Sequence, residues 1–112
     1  MIRAHAWVDD DGLLLDFEAS GHAGTGPRGF DIVCAAFTVL VRTAYSALAG
    51  LPGARIEGRA ANAGSLDFIV KSLPAEMRER ALGMSAYLFE GLSALEREFP
   101  EAVEIRAEQR RK

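Results

Sequence analysis

A second cysteine is missing from this chain, so Cys34 has no partner for an internal disulfide. A reducing compartment such as the cytoplasm suits that composition and would keep Cys34 as a thiol. Excess basic charge is also missing. Lys and Arg number 13 against 16 Asp and Glu, a formal charge of −3, so the basic face that a nucleic-acid binder normally presents is not expected. Mild acidity does permit attraction to a basic partner. No uninterrupted apolar run reaches the roughly 20 residues a membrane span needs; the nearest, Ile32 to Leu48, is broken by Thr38, Arg42, Thr43 and Ser46. The chain does not open on a basic and then apolar leader, so no secretory signal is expected. What remains, 49% hydrophobic and 26% charged residues over 112 positions, is the balance of one soluble domain with one core.

Alternation marks the strands. Ile2, Ala4, Ala6 and Val8 alternate with Arg3, His5 and Trp7, which predicts a strand with one face inward. Asp9 to Gly12 form a turn, and Leu13, Leu15, Phe17 and Ala19 give the second strand, paired antiparallel to the first. His5 and Trp7 fall on the outward face and are read as surface or interface groups. A second hairpin is expected from Ala54 to Ala60 and Ser65 to Lys71, around Ala61 to Gly64. Its first strand, with Gly58 in the middle, suits a sheet edge.

Helical spacing accounts for most of the rest. From Asp31 to about Ala49 an apolar helix is predicted, stopped by Gly50-Leu51-Pro52-Gly53. Pro74 opens a second, with Met77, Ala81, Met84, Leu88, Leu92, Leu95 and Phe99 as its core stripe. Pro100 ends it, Val103, Ile105 and Ala107 suggest a short last strand, and residues 108–112 read as a frayed basic tail. No repeat or linker divides residues 1–112. The order β-β-α-β-β-α-β describes a single α+β domain, with an antiparallel or mixed sheet of about five strands and two long helices packed on it.

The chemistry concentrates between Gly21 and Ala36, where His22 and Cys34 lie twelve positions apart across a segment containing Gly24, Gly26, Pro27 and Gly29. Asp31 suits an N-cap, which would place Cys34 near the third helical position. Free N–H groups and the helix dipole favour a thiolate there, and a neighbouring imidazolium would favour it further. Glycine lets the connecting loop double back to bring His22 to the sulfur. Asp31 either caps the helix or orients His22. Spacing and composition also admit a bland alternative: a small buried thiol and a turn histidine.

Gly21-His22-Ala23, a glycine-containing loop, and Gly29-Phe30-Asp31-Ile32-Val33-Cys34-Ala35-Ala36 resemble the signature of the bacterial ribosomal-processing cysteine protease family, Prp. Members have about this length, so the resemblance spans the whole chain, with Phe37 and Thr38 where the family often has a small aliphatic residue and serine. The resemblance implies a His22–Cys34 catalytic dyad and no cofactor. It further implies a homodimer that removes a short N-terminal extension from large-subunit ribosomal protein twenty-seven. Gly24, Gly26 and Gly29 would then belong to a substrate-covering loop. The alternative is a non-catalytic ribosome-associated module of the same fold. A metal site built on His22, Cys34 and a carboxylate would have too thin a ligand set.

Overall fold

The computed structural model describes residues 1–21, 28–59 and 66–110. The elements run β1 (Ile2–Val8), β2 (Leu14–Ser20), α1 (Arg28–Ala49), β3 (Arg55–Arg59), β4 (Leu66–Ser72), a single 3-10 turn at Ala75–Met77, α2 (Arg78–Glu98) and β5 (Val103–Gln109). The strands form one mixed sheet in the order β3-β4-β2-β1-β5. Every neighbouring pair is antiparallel except β1 and β5. That exception follows from α2, which carries the chain from β4 back to the end of the sheet where β4 began. The expected turn at Ala61 to Gly64 lies outside the described residues.

Both helices cover one face of the sheet. Ile2, Ala4, Ala6, Phe17, Ala19 and Phe68 point into a core shared with Val33, Phe37, Val41 and Leu48 of α1 and with Leu88 and Leu92 of α2. Phe17 lies at the centre, its ring 5.5 Å from that of Phe68 and 6.5 Å from that of Phe37. The segment Ile32–Ala49 is, despite its polar interruptions, long and apolar enough to cross a membrane by length and composition. It lies instead along the sheet as the core helix, with Val33, Phe37, Val41, Ala44 and Leu48 all buried.

The β1–β2 hairpin departs from simple alternation. Trp7 faces Asp16 but Val8 faces Leu14, so Leu15 is an extra residue in a bulge. Leu13, Leu14 and Leu15 are all buried as a result, whereas alternation alone places Leu14 outward. Ser85 is the buried polar residue that answers the bulge: its Oγ accepts the Leu14 N–H at 3.0 Å and donates to the Ala81 carbonyl at 2.8 Å.

The far end of the chain is ordered further than a frayed tail would be. β5 continues through Gln109, and the Arg110 N–H donates to the Val8 carbonyl at 2.7 Å. The Arg110 guanidinium lies 5.0 Å from the Trp7 ring centroid and bonds Asp16. Tertiary partners therefore hold residues 108–110 as an extension of the sheet.

The turn between β1 and β2 is tied to the start of α2. Asp9 accepts the Asp11 and Leu13 N–H groups at 2.9 and 3.0 Å, and Arg78 donates to both Asp9 and Asp11 at 2.7 Å. Gly12, at φ 92°, closes the loop in the left-handed region. Burial pushes the Asp9 pKa up, but the Arg78 bond and the two backbone N–H groups outweigh it and hold the carboxyl below its ordinary value. Asp9→Ala should cost about 1–2 kcal/mol at neutral pH, read by urea unfolding. A depressed folded-state pKa stabilises above the unfolded value and is lost as pH falls through the folded one. The gap between wild type and variant should therefore be full well above pH 3.8 and close below it. A gap independent of pH would overturn this account.

Candidate active site

Cys34 is carried by α1, and the start of that helix decides its chemistry. α1 begins at Arg28, three residues before the expected N-cap. Asp31 is consequently the fourth helical residue and not the cap, Cys34 is the seventh and not the third, and Gly29 lies in the helix and not in the loop. Pro27 is the signal that would have located this start, because proline suits the first positions of a helix. Unpaired N–H groups belong to the first turn of a helix, and the influence of its dipole fades beyond that turn. A thiol on the second turn depends instead on a nearby base.

The other side chains expected here divide by position. His22, Gly24 and Gly26 lie outside the described residues. The described chain reaches Gly21, whose φ is 80° and whose missing Cβ would stand 2.2 Å from the Met1 carbonyl oxygen. Only glycine suits that backbone and that approach, so the chain turns sharply as it leaves β2, immediately before His22.

A helix turning 100° per residue gives α1 four distinct sides. Val33, Phe37, Ala44 and Leu48 face the sheet. Leu40 meets α2 at Gly91, where a Cβ would come within 2.8 Å of Leu40 Cδ2. Ile32 and Val39 point outward, 70% and 64% exposed. Cys34, Thr38, Val41 and Tyr45 fall on the remaining flank, at spacings of four, three and four residues. Cys34 is half-buried and free there, packed against the core. A groove of about 400 Å³ follows the same flank, lined by Val41, Tyr45 and Ser46 of α1, Gly58 of β3, and Leu66 and Phe68 of β4.

The opposite face of the sheet holds a different surface. A cavity of about 430 Å³ there is lined by Arg3, His5, Glu18, Asp67 and Arg106 among others. His5 stacks on Trp7 with centroids 4.0 Å apart and pairs with Glu108, and Arg3 bonds Glu104 at 3.1 Å. These groups satisfy one another on the face away from the helices, which agrees with reading His5 and Trp7 as surface residues. Among the described residues no group of three His, Cys, Asp or Glu side chains could hold a metal ion.

Known proteins share both sequence and architecture with the chain. A relative from Staphylococcus aureus, the ribosomal processing cysteine protease Prp, is 29% identical over 105 residues, covering 94% of this chain and 97% of its own. A solved structure from Streptococcus mutans superposes with a TM-score of 0.81 at 28% identity, covering 98% of this chain and 96% of that one. The S. aureus Prp structure with a covalently linked product peptide gives 0.77 at 25% identity, covering 96% and 99%. Residues 1–104 match the family described as Cysteine protease Prp, and the chain belongs to that family of cysteine proteases.

Proposed function

We propose that this protease removes the short N-terminal extension of large-subunit ribosomal protein twenty-seven, using His22 and Cys34 as a catalytic dyad. The observation that carries the reading is a free, partly buried thiol on the flank of α1, in a chain matched to Prp over residues 1–104. Activity in the cytoplasm, where the thiol stays reduced and ribosomes mature, completes the proposal.

The chemistry requires two residues of this chain. The Cys34 thiol gives its proton to the His22 imidazole, and its sulfur attacks the peptide carbonyl to form a tetrahedral adduct. That adduct collapses with cleavage of the C–N bond, the imidazolium protonates the departing amine, and the extension remains as a thioester on Cys34. Water, deprotonated by His22, then hydrolyses the thioester and restores the thiol. Because Cys34 lies on the second turn of α1, the imidazole provides the activation that the helix terminus does not. Asp31, also within α1, is assigned to orient His22, and Gly24 and Gly26 are assigned to a substrate-covering loop.

The outward side of α1 supports a homodimer. Ile32 and Val39 are seven residues apart on one face and mostly exposed, an apolar pair that a second copy of the helix would cover.

Three measurements test these assignments. Cys34→Ala should lower cleavage of the extension peptide by about a thousandfold or more, with an unchanged melting curve; retained turnover would remove Cys34 from the mechanism. Asp31→Asn should lower turnover by about tenfold or more while folding is preserved, and unaltered turnover would leave Asp31 a structural residue. The double variant Ile32→Asp, Val39→Asp should sediment as a monomer where wild type sediments as a dimer, and equal sedimentation of the two would overturn the helix interface.

A further inference from the structure

β5 ends the sheet, so one side of it carries backbone groups that β1 does not use. Alternate residues of a strand point their N–H and C=O groups to opposite sides. The Ile2 N–H donates to the Ala102 carbonyl and the Arg110 N–H donates to the Val8 carbonyl. Even-numbered residues of this stretch therefore face β1, and Val103, Ile105, Ala107 and Gln109 direct their backbone groups away from the sheet. An edge of this kind is a template for another strand.

Two of those outward donors are taken from within the chain. The Phe99 carbonyl accepts the Val103 N–H at 3.1 Å, and the Glu96 carboxylate, reaching from the last turn of α2, accepts the Ile105 N–H at 2.9 Å. The first bond belongs to the backbone of the turn after α2 and is indifferent to side chains. The second rests on one carboxylate. Past it, Ala107 and Gln109 are exposed.

The strand that best fits this edge is β5 of a second copy. Antiparallel pairing about a two-fold axis at Ile105 sets the two Ile105 residues opposite each other, exchanging N–H and C=O, with both side chains on the inner face. The same register sets Glu104 of each copy opposite Arg106 of the other, and these side chains are exposed on the outer face. Opposite charges in facing positions favour a strand pair. We propose that Glu96 is a stopper on this edge: its carboxylate occupies the place that the Ile105 carbonyl of a second copy would take, and so keeps the chain from associating strand to strand.

Sedimentation of Glu96→Ala against wild type tests this. Alanine continues the helix but accepts nothing from Ile105, so the variant should keep the fold and sediment at about twice the mass of the wild-type species or more. Glu96→Gln, whose amide oxygen still accepts the N–H, should sediment as wild type. Adding Arg106→Glu to Glu96→Ala sets like charges opposite each other and should return the wild-type mass. Adding Glu104→Arg to that double variant restores the complementary pairs and should enlarge the species again. Hydrogen exchange reads the same edge directly: the Ile105 amide should exchange about tenfold faster or more in dilute Glu96→Ala than in wild type, and regain protection as the variant is concentrated. A wild-type mass for Glu96→Ala, or an enlargement that Arg106→Glu does not reverse, would overturn the stopper. So would an Ile105 amide whose exchange is indifferent to Glu96.

Discussion

Everything in this molecule depends on α1 being held on more than one side. Its inward residues are buried against the sheet and Leu40 is pressed on Gly91 of α2, so the helix can neither roll nor slide without opening the core. Close packing of this kind leaves discrete arrangements and few intermediate ones. The flank bearing Cys34 is thereby fixed in direction, and Val41 and Tyr45 farther along it line the groove beside β3 and β4. A nucleophile gains from such a mount because reacting atoms must be held to within fractions of an ångström.

The sheet keeps two kinds of chemistry apart. Its inner face is a dry apolar layer in which Ser85, the buried polar residue, has both of its hydrogen bonds made. Its outer face is a layer of charged and aromatic groups that satisfy one another, from Arg3 and Glu104 to His5, Trp7 and Arg110. Exposed pairs of this kind contribute little stability individually. Here they bring order to Arg110 and so to the end of β5.

Displacing the helix start by three residues reassigns how the thiol is activated. A sulfur on the first turn would draw on unpaired N–H groups and the dipole; one on the second turn has a completed hydrogen-bond ladder around it. In the proposed mechanism greater weight then falls on His22, which follows the left-handed Gly21 in sequence. The two residues of the proposed dyad thus belong to different parts of the sequence, Cys34 to a helix and His22 to the segment that follows a strand.

Alternation and helical spacing determined the order of elements, the edge position of β3 and the core stripe of α2, because periodicity and local chemistry are properties of neighbouring residues. The family resemblance was legible for the same reason, being carried by two short contiguous elements. Tertiary structure alone decided the parallel pairing of β1 with β5, the burial of Leu14 in a bulge answered by Ser85, and the pinning of Arg110. It also decided which side of α1 became an open flank. Each of those depends on groups distant in sequence meeting in space, and no local pattern encodes which partner arrives. The start of α1 lies between the two cases: Pro27 hinted at it in the sequence, but the capping chemistry of Asp31 competed for the same reading, and the helix runs from Arg28.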